Sequence, residues 1–355
     1  MATSERLEDI LAQAAAIEGE AFHYDREQIE AEVEREKASI YEGLGIKILA
    51  IAGGFLACIF FLGFLAIAGL IESKGGMLIL GVMAIGGSLG LNYATNSRML
   101  DGAAIALYIS GLVLITFGME WESGGIVLGF MVIAVASFFL MRNFLMIFFS
   151  VLLFFGSMLW YIGSHESVAL FYLYLLVASL SYTIVSLSEP GLLSSGPMLN
   201  RRFPALRTGL LFSFVAGLVL TMNSEDFLYG MQNHWLGWCI VMISLLAVVH
   251  YITDGIGVQT GRRVLFFACL VVVLLPFLYA PAVPGALLVL LLGVHTRYVT
   301  GFACGILAFV YFISQFYYDL QLTLLVKSII LMASGALFLA AWYIIRKTLQ
   351  RDEAV

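Results

Sequence analysis

The chain has 355 residues, 61% of them hydrophobic and 12% charged, with a mean hydropathy of +0.98. Soluble domains carry about 45–50% apolar and roughly 25% charged residues, so this composition excludes a water-soluble globular fold and requires lipid as the solvent. Twelve of the 24 acidic residues lie in the first 45 positions beside Arg6, Arg26, Arg35 and Lys37, giving that segment −8 and the remainder +2, which excludes the segment from the bilayer.

Residues 1–45 are therefore expected to form an acidic, soluble helical tail. Ser4 is available as an N-cap, and Leu7, Ile10, Leu11, Ala14 and Ile17 recur at helical spacing. Gly19 interrupts the pattern. A second stripe of Ile29, Val33, Lys37, Ile40 and Leu44 follows, with Lys37 joining through its aliphatic stem. The two stripes predict a helical hairpin; the competing reading is a mobile acidic tail. No basic segment with a short apolar core and a cleavage site opens the sequence, so the first hydrophobic span is expected to direct insertion itself.

Residues 46–347 are expected to form an all-α, polytopic transmembrane helix bundle. The runs are continuous, as in Ile46 to Ile71 and Leu324 to Ile345, whereas barrel strands alternate apolar and polar residues. Taking about 20 apolar residues as a span, helices fall near 46–71, 77–97, 103–119, 125–141, 144–163, 167–187, 208–222, 235–252, 264–280, 283–296, 299–318 and 324–345. That makes about twelve. The tenth, Pro284 to His295, is barely long enough to cross, and a re-entrant segment is its alternative. Residues 348–355 remain as a cytoplasmic C-terminal tail.

The charge bias sets the orientation. With the tail inside, Lys47, Arg98, Arg142, Arg201, Arg202, Arg207, Arg262, Arg263, Arg297, Arg346, Lys347 and Arg351 fall on the cytoplasmic side, and only Lys74 falls outside. The outer loops instead carry Glu72, Glu120, Glu122, Glu166, Glu225, Asp226 and Asp319, with Trp121, Trp160, Trp235 and Trp238 near the outer interface as belt residues. Both termini are expected in the cytoplasm, in a bacterial inner membrane. Arg142 and Asn143 nearly suffice to join two helices, so neighbours should pack as antiparallel hairpins. Ser188 to Arg207 and Asn223 to His234 are the longer connections.

Chemistry-bearing motifs are sparse. Gly86 and Gly90, Gly125 and Gly129, and Gly301 and Gly305 place small residues one turn apart, as close intramolecular helix packing requires. Gly255-Ile-Gly257-Val-Gln-Thr-Gly261 has the wrong spacing for a phosphate loop and links two helices. His23, His165, His234, His250 and His295 form no HExxH motif; Glu20 with His23 is the one ExxH. No metal and no cofactor is expected. Cys58, Cys239, Cys269 and Cys304 are scattered singly and read as small packing residues. Pro276, Pro281 and Pro284 predict an irregular outer corner. Lys327, one turn into the last span, can snorkel to the outer interface with Asp319 as its ion-pair candidate, or mark a substrate or proton site.

The stretch Phe316-Tyr-Tyr-Asp-Leu-Gln-Leu-Thr-Leu-Leu-Val-Lys-Ser-Ile-Ile-Leu-Met-Ala-Ser-Gly335-Ala-Leu-Phe-Leu resembles the C-terminal signature of a bacterial multi-pass membrane family, a domain of unknown function often encoded beside a GDYXXLXY-domain protein. The matching positions are Tyr317, Tyr318, Leu320, Thr323, Leu324, Leu325, Lys327, Ser328 and Gly335. The resemblance implies a membrane location and a membrane-anchored partner with an extracytoplasmic domain. It supplies no substrate. Tyr317, Tyr318, Asp319, Thr323, Lys327 and Ser328 are accordingly the candidate functional or partner-binding residues.

Two functions fit this sequence: a membrane scaffold or partner subunit, and a secondary transporter of a small solute. No cluster of acids, histidines or a nucleophile–base pair points to an enzyme. The lipid bilayer is the certain surrounding, and no nucleic-acid partner is expected.

Overall fold

The computed structural model describes residues 53, 56–70, 73–94, 98–118, 125–189, 197–222, 234–255 and 260–319, with isolated positions between 328 and 339. The tail at 1–45, Trp121, the 223–233 connection, Thr323, Lys327 and the C-terminal tail lie outside the described residues, as does most of the last expected span. Every regular element among the described residues is helical. In chain order these are α1 (Leu56–Ile67), α2 (Lys74–Ala94), α3 (Arg98–Gly118), α4 (Gly125–Leu140), α5 (Phe144–Ser164), α6 (Val168–Leu187), α7 (Pro197–Met222), α8 (His234–Gly255), α9 (Thr260–Leu274), α10 (Ala282–His295) and α11 (Val299–Asp319). Six stretches among them, within α2, α5, α6, α7, α8 and α11, are long and apolar enough to cross a membrane, and α1, α3, α4, α9 with its following turn, and α10 contribute shorter apolar helices.

The chain divides into two compact units, Met1–Leu114 and Ile115–Val355. Within the first, α3 lies against both α1 and α2. The Ser110 hydroxyl donates to the Ala106 carbonyl at 2.7 Å and approaches the buried Cys58 thiol at 3.0 Å. Gly111 sits so close to α2 that a Cβ there would lie 2.8 Å from the Gly81 carbonyl oxygen.

The second unit is built around α10. Its 14 residues span about 21 Å, short of the roughly 30 Å of hydrocarbon, yet nine of them are buried, including Pro284, Leu288 and Leu292. It packs against α6, α7, α8 and α11. Pro284 is tolerated because it stands in the first turn, where the missing N–H has no helical acceptor to lose. The shortest of the expected spans is thus the best enclosed among the described helices.

Small residues allow that enclosure. Gly293 and Gly305 bring the backbones of α10 and α11 together: a Cβ on Gly293 would lie 2.5 Å from the Phe302 nitrogen, and one on Gly305 2.7 Å from Leu290 Cα. In lipid, such close approach is a main source of helix association. The other two glycine pairs behave differently. Gly86, Gly90, Gly125 and Gly129 have nothing within 4 Å of a Cβ, so their spacing does not mark a close crossing among the described residues. Gly209 against Val151, Gly217 against Tyr174 and Gly285 against Leu218 take that role instead.

Helix ends show that α6 to α11 alternate in direction. At one end, the N-terminus of α8 meets α6 and α10: a Cβ on Gly237 would lie 3.3 Å from Pro281 and 3.5 Å from Tyr172. There α9 gives way to a 3-10 turn, Leu275–Phe277, at Pro276, which leaves the Leu274 carbonyl without its helical donor. The Trp238 indole N–H supplies one at 3.1 Å. Trp238 is therefore buried and used internally, not an interfacial belt residue, whereas Trp160 and Trp235 remain about half exposed. The three prolines do make the irregular corner expected of them.

The seventh helix begins eleven residues earlier than the hydrophobic run indicates, at Pro197 instead of 208. Polar residues and Pro204 make this stretch read as a loop. The Pro204 ring faces outward, however, while Arg202, Phe203 and Ala205 are buried on the other side. Pro197 opens the helix as its first residue, a position where proline is well accommodated.

Candidate functional site

Two arginines on the added turns of α7 reach the C-terminal ends of two other helices. Arg202 donates to the Phe139 carbonyl in the last turn of α4, with its guanidinium carbon 5.9 Å from the Phe138 ring centroid. Cations are favoured there, where unpaired carbonyls concentrate negative partial charge. Arg207 reaches the end of α10 and is 4% exposed.

Arg207 is held on several sides. One terminal nitrogen donates to Glu189 Oε2 at 3.0 Å, and the other donates to the Thr296 hydroxyl. Thr296 in turn donates to the Leu292 carbonyl at 2.6 Å. The guanidinium carbon stands 4.1 Å from the Tyr298 ring centroid, within range of a cation–π contact. The Thr208 hydroxyl donates to the Pro204 carbonyl at 2.7 Å, which leaves it to accept from the Tyr298 phenol, also at 2.7 Å.

The three-residue turn that carries Thr296 and Tyr298 is set by its backbone. The Tyr298 N–H bonds to the Gly293 carbonyl at 2.9 Å and the Arg297 N–H to Val294 at 3.2 Å, the paired bonds of a Schellman cap. Arg297 occupies the left-handed position, with φ of 52°, where glycine is usual. A non-glycine residue there costs about 1–2 kcal/mol. Arg297→Gly is accordingly expected to stabilise the folded protein by about 1 kcal/mol, read from unfolding in mixed detergent; a loss of stability would show that the arginine side chain makes a compensating contact.

Next to this turn lies α6. Tyr182 and Ser186 are fully buried one turn apart, and the groups acting on the Tyr182 hydroxyl are Arg207, Tyr298, Ser186 and Cys304. A Cβ on Gly301 would sit 2.5 Å from the Tyr298 ring and 3.3 Å from the Tyr182 oxygen, so only glycine leaves these two rings in place. Arg207 Nε is buried here without a hydrogen-bond partner, and the buried Tyr182 and Ser186 hydroxyls have at most each other. Such groups are costly unless something satisfies them. Among the described residues, no three His, Cys, Asp or Glu side chains are placed to hold a metal.

The expected site residues lie elsewhere. Tyr317 and Tyr318 end α11, about 30 Å from Tyr298 by the length of the helix. Their rings stand 6.0 Å apart, Tyr318 is exposed, and the neighbouring Phe316 packs on Phe277 at 5.1 Å. Ser328 is exposed and helical. The side chain of Asp319, with Thr323 and Lys327, lies outside the described residues. Sequence reading counted Arg202 and Arg207 as cytoplasmic charges and passed over Glu189, Thr296, Tyr298, Tyr182 and Ser186. The available signal was the shortness of the connection between the tenth and eleventh helices, which forces any polar residue in it against the bundle.

A family model described as Domain of unknown function (DUF4401) matches residues 44–348. The chain belongs to the DUF4401 family. The matched range contains both the Arg207 cluster and the Tyr317–Tyr318 segment, and leaves the first 43 residues outside. No curated protein and no solved structure matches this DUF4401 chain. Its family and its several long apolar helices fit an integral membrane protein of unknown activity.

Proposed function

We propose that this chain is a scaffold or subunit of the bacterial inner membrane that holds a membrane-anchored protein with an extracytoplasmic domain, of the GDYXXLXY class. In this reading about twelve helices span the bilayer, both termini are cytoplasmic, and the chain performs no catalysis of its own. The observation that carries it is the use of charge: Arg202 and Arg207 are both engaged with helix ends and so brace a fixed bundle. The exposed Tyr318 beside Tyr317, at the far end of α11 and inside the family-like segment, offers an aromatic contact for a partner on the outer side.

Affinity purification of the full chain expressed with the GDYXXLXY-domain protein tests this directly. A stoichiometric complex, weakened by Tyr318→Ala, is the expected result; a chain that purifies alone and leaves that partner unbound would refute the scaffold reading. Reporter fusions should place both termini and Arg201 inside and Glu225 outside. Secondary transport is the second reading, favoured by one observation, the unpartnered buried polar atoms beside the short central helix.

A further inference from the structure

We infer that the cluster at the end of α10 is a binding site for a small oxyanion, a carboxylate or phosphate, which exchanges with the Glu189 carboxylate on Arg207. The inference stands apart from the scaffold reading, because it rests on the opposite end of α11 and requires no partner protein.

The donor set points to this chemistry. A guanidinium offers five N–H donors in a fixed fork suited to carboxylate and phosphate oxygens. Arg207 commits one terminal nitrogen to Glu189 and one to Thr296, and stacking on Tyr298 fixes its plane, while its Nε–H is buried without a partner. The Tyr182 and Ser186 hydroxyls, both fully buried and with at most each other as partner, add donors close by. An acceptor-rich ligand satisfies all three. A second cation or an apolar molecule satisfies none.

Charge balance explains why Glu189 must yield. Arg207 is 5% exposed at its side chain and Glu189 33%. The arginine therefore has no access to water and always needs a counter-charge, whereas the glutamate can turn outward and be solvated. An incoming oxyanion on the Nε–H edge would keep the cluster neutral as Glu189 turns outward, and would reach the idle donors that Glu189, on the other terminal nitrogen, does not. Glu189 then acts as a resident stand-in for the ligand. The same oxygens could come from a free anion or from an anionic lipid headgroup at this membrane face.

The test uses the full chain in phosphatidylcholine nanodiscs, with thermal unfolding followed at constant ionic strength during titration with acetate, inorganic phosphate or chloride. Acetate or phosphate is expected to raise the midpoint saturably, and chloride is not. Glu189→Gln should tighten the apparent affinity about tenfold or more by removing the competing charge. Tyr182→Phe should weaken it about five- to tenfold, the loss of one hydrogen bond, and Arg207→Lys should abolish it. If discs containing phosphatidylglycerol raise the midpoint without added anion and suppress the acetate effect, the source is the lipid headgroup and the site stands. An equal effect of chloride, an unchanged affinity in Glu189→Gln, or wild-type behaviour of Tyr182→Phe would each overturn the inference. Both of the latter substitutions keep the residue's size, so they remain informative if Arg207→Lys fails to fold.

Discussion

Glu189→Ala is expected to destabilise the folded protein by about 3 kcal/mol, measured by unfolding in mixed detergent. The substitution leaves Arg207 buried, 4% exposed, with the Thr296 hydroxyl and the Tyr298 and Phe203 rings beside it and its carboxylate partner gone. Stranding one member of a buried pair costs about 3–5 kcal/mol, and the lower figure applies because Glu189 itself is a third exposed. Adding Arg207→Met to Glu189→Ala should recover part of the loss, since an apolar side chain of similar length needs no counter-charge. Additive losses in the double replacement would show that the 3.0 Å contact contributes little and that Arg207 is held by its other neighbours.

Gly305→Ala is expected to cost about as much for a different reason. The new Cβ would lie 2.7 Å from Leu290 Cα and 2.8 Å from its nitrogen, both backbone atoms of α10 that have no rotamer to change. Overpacking of this kind typically costs 1–3 kcal/mol, and the upper end applies where backbone must move. Gly129→Ala is the matched control: nothing lies within 4 Å of its Cβ, and alanine's helix propensity should leave stability equal or up to about 1 kcal/mol higher. Equal stability of the two variants would mean that α10 and α11 slide apart freely, and would remove the close crossing from the account of the core.

The contrast between Gly305 and Gly129 also shows what the sequence could say. Both stand four residues from another glycine, and spacing alone assigns them one role, because it records what a helix face offers and not whether a second helix arrives there. Helix positions were legible because the apolar runs are continuous and coincide with the helices. The start of α7 was not, since Arg201, Arg202, Pro204 and Arg207 have the composition of a connection; Arg202 and Arg207 are retained in a helix by a carbonyl, a carboxylate and a hydroxyl that are 18 to 89 positions distant in the chain. The cluster around Arg207 was illegible for the same reason. Tyr182 and Glu189 stand seven residues apart at the end of α6, but Arg207 and Tyr298 come from two other segments, and no local period connects all four. Tyr317 and Tyr318 could be singled out from sequence because they are adjacent, and adjacency is what a linear motif preserves.

The docking of Arg202 and Arg207 gives the two residues different histories as the chain is made. Arg202 finds α4 already synthesised, so its carbonyl partner is present when α7 emerges. Thr296 follows Arg207 by 89 residues, which at about 5–20 residues per second means a wait of roughly 5–20 seconds. During that interval Glu189, already made, is the opposite charge with which Arg207 pairs in the folded protein. A growing protein thus carries its arginine toward the membrane face with a neutralising companion, and the arrival of the central helix converts a provisional ion pair into a locked corner.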